Sequence, residues 1–110
     1  MILVVIKLPY PSPFFAFFWK MNIQRKIVVR GKVQGVGFRN ATWRKAMEVG
    51  IRGSVRNLDD GSVEILASAT DKDFIIFENW CRVGPSHARV ERLEISELDQ
   101  TGFTDFSIDY

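Results

Sequence analysis

From Lys26 onward the apolar positions fall into a regular order, and the stretch before it stands apart. Lys26-Ile27-Val28-Val29-Arg30 is a β-branched run that predicts a first strand. Over 38–49 apolar side chains recur at Phe38, at Ala41 or Thr42, at Ala46 and at Val49. That is the spacing of one helix face, and Gly50 supplies a left-handed stop. The period then changes to two. Ile51, Gly53, Val55 and Asn57 share one side of a second strand, and Val63, Ile65, Ala67 and Ala69 form the inward side of a third. Between them Leu58-Asp59-Asp60-Gly61 reads as a hairpin turn by its Asp-Gly pair. Thr70, with Asp71 and Asp73 in the first turn, opens a second helix over Phe74, Phe77, Trp80 and Cys81 that ends at Gly84-Pro85. Leu93 and Ile95 alternate within a fourth strand, and Phe106, Ile108 and Tyr110 within a short final one.

The order β-α-β-β-α-β plus a terminal strand predicts an α+β, ferredoxin-like sandwich: an antiparallel sheet with two helices on one face. A crossover helix makes strands one and two run the same way, with strand three inserted antiparallel between them. Their C-terminal ends then share one edge of the sheet, two strand spacings or roughly 10 Å apart. Asn57 ends strand two. Taken locally, Asn57 is a turn-former before Leu58-Asp59, but the topology carries its amide within reach of the loop that leaves strand one.

That loop is Gly31-Lys32-Val33-Gln34-Gly35-Val36-Gly37-Phe38-Arg39. Gly35 and Gly37 let successive amide N–H groups curl into one concavity, and the helix start adds unpaired N–H groups and a positive dipole end. A phosphate-like anion fits such a pocket, and Arg39 adds a planar fork of charged donors. The plain alternative is a glycine-rich turn with a surface arginine.

Residues 1–21 differ from all of this: an apolar start, then Pro9, Pro11 and Pro13, then Phe14-Phe15-Ala16-Phe17-Phe18-Trp19-Lys20. A spanning helix needs about 20 consecutive apolar residues, and prolines in the middle each cost ~3 kcal/mol. The missing charged start and small-x-small site argue against a cleaved signal. Two readings remain, an apolar arm that docks on a partner or membrane surface, and upstream sequence with Met21 as the real first residue. The second is favoured, because 22–110 reads as a complete domain.

Charge divides the domain. Arg25, Lys26, Arg30, Lys32, Arg39, Arg44, Lys45, Arg52 and Arg56 face a single acid, Glu48, within 22–58, whereas 59–110 holds twelve acids against four bases. A positive half attracts small anions. A total of zero over 22–110 argues against a life on long nucleic acid, whose binding is dominated by phosphate contacts. The single cysteine, Cys81, excludes an internal disulfide and a multi-cysteine zinc site, and fits a cytoplasmic location. Cys81 reads as a small core residue rather than a nucleophile, and His87, in a loop with Pro85 and Ser86, as a solvated turn residue rather than a base.

Gly31-x-Val33-Gln34-Gly35-Val36-Gly37-Phe38-Arg39, then Gly53-x-Val55-x-Asn57 and Asp60-Gly61-x-Val63-Glu64, resemble the signature blocks of the small acylphosphatases. The resemblance spans about 24–110, including Gly84-Pro85 and a final Phe-x-Ile-x-Tyr, and leaves 1–21 outside. It implies metal-free, cofactor-free hydrolysis of the carboxyl–phosphate anhydride of an acyl phosphate to a carboxylate and inorganic phosphate. By the same resemblance, Arg39 and the amides of Gln34, Gly35, Val36, Gly37, Phe38 and Arg39 hold the phosphoryl group, and Asn57 orients the attacking water. One departure is Ser54, where many members carry a bulkier aromatic residue, which bears on the packing beside strand two and the shape of the acyl-side pocket. The chemistry suits the motif: phosphoryl transfer depends mainly on positioning and electrostatic stabilisation, and an acyl phosphate already has a good leaving group.

The expected partner is a small acyl phosphate acted on by a monomer, with no nucleic acid and no membrane span. The alternative is a non-catalytic anion-binding module, or one related to the acylphosphatase-like part of hydrogenase-maturation carbamoyltransferases, which would take carbamoyl phosphate. Single-strand RNA binding on this architecture needs outward aromatic side chains on the central strands, where strands one and three offer Val, Ile, Glu and Ser.

Overall fold

The β-branched run at 26–30 lies inside a longer strand, β1 (Asn22–Lys32), in a computed structural model that describes residues 22–110. The extension of 1–21 lies outside the described residues. After β1 come α1 (Phe38–Val49), β2 (Arg52–Asn57), β3 (Val63–Thr70), α2 (Asp71–Cys81), β4 (Arg89–Glu97) and β5 (Phe106–Asp109). The sheet order is β4-β1-β3-β2-β5. β3 pairs antiparallel with both β1 and β2, β4 pairs antiparallel with β1, and β5 joins β2 in parallel. That last pairing makes the sheet mixed rather than wholly antiparallel. The pattern of apolar residues holds no signal for the direction of a strand placed after the long connection 98–105.

Two boundaries move, each for a physical reason. Gln24 and Arg25 have little strand propensity, yet Asn22–Lys26 pair residue by residue with Thr70–Leu66. Arg25 also donates to Glu78 at 3.0 Å and lays its guanidinium 4.8 Å from the Phe74 ring centre, so tertiary pairing overrides propensity. α2 stops at Cys81, before Gly84-Pro85, because the amides of Arg82 and Gly84 already close onto the carbonyls of Glu78 and Trp80 at 3.0 and 2.8 Å. At its other end the Thr70 hydroxyl accepts from the Asp73 amide at 3.2 Å, the predicted cap.

Both helices cover one face of the sheet. Ile27, Val29, Val55, Val63, Ile65 and Ala67 meet Phe38, Ala46, Phe74, Phe77 and Cys81 in one cluster, none more than 1 % exposed. Each large apolar side chain there contributes on the order of 1.5–3 kcal/mol. Cys81 sits in the middle of it, and burial pushes its thiol far above the usual range. It is a neutral core group. Cys81→Ala is expected to lower the unfolding free energy by about 1 kcal/mol through a small cavity, with turnover per folded molecule unchanged. Urea denaturation beside a rate assay checks both, and a large rate loss in folded protein would make the thiol functional.

On the open face of the sheet the two charge halves of the chain interlock. Arg56 pairs with Glu64 at 2.8 Å, Arg30 with Glu94 at 3.0 Å and with Asp60 at 2.9 Å, and Arg92 with Glu94 at 3.1 Å. Three of the nine basic residues of the positive half, Arg25, Arg30 and Arg56, thus pair with carboxylates of the acidic half, which linear charge counting misses. No aromatic residue stands outward on β1 or β3, and Ile27 and Ile65 turn inward into the core.

Candidate active site

β1 and β2 both oppose β3, so they run the same way and end at the same edge of the sheet, as the topology requires. The loop leaving β1 is anchored at both ends. Val33 is buried at its start, and Phe38, also buried, opens α1 with its ring 5.7 Å from that of Trp80. Between these anchors Gly35 and Gly37 both take positive φ, 74° and 78°. Gly37 is the N-cap and offers no side-chain acceptor. The amide of Ala41 donates to the Gly37 carbonyl at 3.0 Å. The three helix amides before it, those of Phe38, Arg39 and Asn40, have no intrahelical acceptor and point their donors out of the helix start. Gly31 serves a different purpose from the other motif glycines. It lies at a register shift where β1 approaches β4, and a Cβ there would collide with the Arg89 carbonyl oxygen.

These elements enclose a pocket of about 110 Å³. Val33, Gly35, Gly37 and Phe38 form its floor from the loop, Arg39 and Asn40 enter from the first turn of α1, and Asn57 enters from the end of β2. Arg39 and Asn57, apart by 18 positions along the chain, thus face one cavity. Among the described residues Arg39 makes no ion pair with a carboxylate. It is held instead by neutral groups: Nη1 donates to the Asp109 carbonyl at 3.2 Å, and its guanidinium lies 4.8 Å from the Tyr110 ring centre. A cation positioned without a resident carboxylate keeps its charge for an incoming anion.

Tyr110 lines the same pocket and is 91 % exposed. Period-two alternation puts it inward with Phe106 and Ile108, but β5 ends at Asp109 and the alternation ends with it. The usable signal is its place in the final Phe-x-Ile-x-Tyr. Gln34 and Val36, by contrast, belong to the loop without lining the cavity. Val36 packs against the core. The Gln34 carboxamide reaches the β2–β3 hairpin, donating from Nε2 to the carbonyls of Leu58 at 2.7 Å and Ser62 at 2.8 Å.

The hairpin beside Asn57 is also tied to β1. The Asp60 carboxylate accepts from the Ser62 hydroxyl and amide and from Arg30, at 2.5, 3.0 and 2.9 Å. Those bonds, the Ser62 hydroxyl's first and then Arg30's, hold its carboxyl well below the usual carboxylate range. Ser54 sits on the open sheet face opposite Leu66 and Ser107 and does not reach the pocket. His87 is exposed beside Ser86 and Cys81 is in the core, so neither faces the pocket. Among the described residues no three His, Cys, Asp or Glu side chains are grouped to hold a metal ion. No helix there is long and apolar enough to cross a membrane.

A family model described as Acylphosphatase matches residues 25–108. A relative from Pasteurella multocida named Acylphosphatase is 44 % identical over 89 residues, which is 80 % of this chain and 99 % of that protein. The solved structure of an acylphosphatase from Coxiella burnetii superposes with a TM-score of 0.79 at 33 % identity, covering 83 % of this chain and 96 % of the other. The T. kodakarensis HypF structure superposes with a TM-score of 0.67 at 37 % identity over 78 % of this chain, which spans only 12 % of that protein.

Proposed function

The chain belongs to the acylphosphatase family, whose activity is hydrolysis of acyl phosphates, and from that premise we propose how its own residues divide the work. The phosphoryl group sits in the glycine loop, with its equatorial oxygens on those amides of 34–39 that reach the pocket and on the Arg39 fork. The carboxamide of Asn57 orients a water molecule for in-line attack. A new bond forms from the water oxygen to phosphorus while the bond from phosphorus to the acyl oxygen breaks. The carboxylate departs with that electron pair and needs no proton at neutral pH, and the proton shed by the water goes to the phosphate product or to solvent. The transition state is loose and spreads charge over three oxygens, so fixed donors suffice without a nucleophile or a strong acid. The positive charge comes from Arg39 and the loop amides, with no metal required.

One observation carries this reading: Arg39, Asn57 and the two glycines of the loop line a single pocket. The domain is read as a monomer acting on a small substrate in the cytoplasm. A pocket of about 110 Å³ suits a phosphoryl group rather than a polymer, the outward positions of β1 and β3 hold no aromatic side chains for stacking bases, and the lone thiol suits reducing surroundings. Residues 22–110 contain every assigned element, so a chain started at Met21 is expected to keep fold and turnover. The deciding experiment is phosphate release from benzoyl phosphate by that chain and by the full chain, with and without EDTA. Turnover in both, unaffected by EDTA, is the expected result. Activity restored only by Mg²⁺ would overturn the metal-free mechanism, and an unfolded short chain would make the extension structural. Binding of inorganic phosphate without turnover would favour the non-catalytic or carbamoyl-phosphate-related module instead.

A further inference from the structure

We propose that Gln34 is a positioning residue for hydrolysis, its carboxamide setting the separation between the anion loop and the hairpin that presents Asn57. The inference rests on the assignment of Asn57 to the water. Gln34 lies between Val33 and Gly35, both of which line the pocket, yet its own side chain leaves the pocket and spans to the next connection at the same sheet edge. There Nε2 donates to two carbonyls at once, Leu58 at 2.7 Å and Ser62 at 2.8 Å. Both acceptors are backbone oxygens, so only the nitrogen end of the carboxamide fits them and the orientation of the amide is settled by chemistry. The two carbonyls bracket the turn, whose neck is closed by the Leu58 amide on Ser62 at 2.9 Å. Leu58 directly follows Asn57. A shift of the bracket therefore moves the Asn57 backbone relative to the loop glycines, with no other side chain of the loop making this link.

The consequence is specific. Misplacing a water by a fraction of an ångström lowers the rate of attack far more than it lowers binding of an anion held by the loop itself. Gln34→Met keeps length and removes both donors. Gln34→Glu keeps shape and presents a carboxylate to the same two carbonyl oxygens. Each is expected to lower kcat by about 10- to 100-fold while the inhibition constant of inorganic phosphate moves by less than about threefold. A role confined to stability would leave the rate per folded molecule at the parent value.

The test is a double-mutant cycle with Asn57→Ala, read as kcat and as the phosphate inhibition constant on protein shown to be folded by its thermal transition. If Gln34 acts through Asn57, adding Gln34→Met or Gln34→Glu to Asn57→Ala lowers kcat by less than about threefold further. Losses that multiply across the cycle, or single variants that turn over like the parent, would overturn the proposal while leaving Asn57 its role. An Asn57→Ala enzyme with full turnover would instead remove the water assignment, and this inference with it.

Discussion

Replacing Asn57 with alanine is expected to lower turnover by about 100-fold or more and to leave the affinity for inorganic phosphate nearly unchanged. The first part rests on geometry. Asn57 lines the pocket from the end of β2, together with Gly35 and Gly37 of the loop and Arg39, where a carboxamide can hold a water beside a bound phosphoryl group. The second part rests on the assignment of Asn57 to the water, which leaves the loop amides and Arg39 to hold the anion when the carboxamide is removed. Asn57→Asp keeps the shape but brings a negative group toward an anionic substrate, so it is expected to be no better than alanine. Turnover and phosphate inhibition constants for both variants check the claim. Weak phosphate binding with normal turnover at saturation would make Asn57 a binding residue and end the water-positioning mechanism.

Arg39→Ala is expected to give the complementary signature, a higher phosphate inhibition constant together with a lower rate. Each charge-assisted bond from the guanidinium contributes roughly 1.5–3 kcal/mol, which is about tenfold to somewhat over a hundredfold per bond. Arg39→Lys retains the charge but loses the fork, the bond to the Asp109 carbonyl and the broad contact with Tyr110. It should therefore recover only part of the loss. Product inhibition by phosphate, measured beside kcat/KM for both variants, is the readout. An Arg39→Ala enzyme that binds phosphate like the parent would remove the guanidinium from the anion site.

How much of this is legible in the chain depends on whether the partner of a residue is a side-chain pattern or a piece of backbone. The helix over 38–49 is legible end to end because Gly37 and Gly50 flank an apolar face of the right period. The place of Asn57 at the pocket is legible only through topology, since nothing in Asn57-Leu58-Asp59 distinguishes a pocket amide from a turn. Gln34 belongs to the glycine loop, but the bonds of its side chain are not legible, because their acceptors are carbonyls 24 and 28 positions away. Any sequence at 58 and 62 presents the same oxygens. Tyr110 is hidden by a period that stops one residue too soon. The charge division misleads in another way. Arg30 and Arg56 count as free positive residues along the chain, and in the sheet they are taken up by Asp60, Glu94 and Glu64.

The position of β1 inside the sheet also bears on how the molecule comes to exist. Ile27 pairs with Ile65 on one side and Ile95 on the other. During synthesis Ile27, in the run Ile27-Val28-Val29, is therefore made 38 positions before one neighbour and 68 before the other. Pairings of such high sequence separation fold slowly, because the entropy of loop closure is lost before the contacts compensate for it. Until then the run is an unpaired, uncharged β-forming segment, with Arg25, Lys26 and Arg30 at its borders acting as gatekeepers against association with other nascent chains. Arg25, which ties β1 to α2 in the finished fold, and Arg30, which ties it to Asp60 and Glu94, thus guard the first strand while it waits.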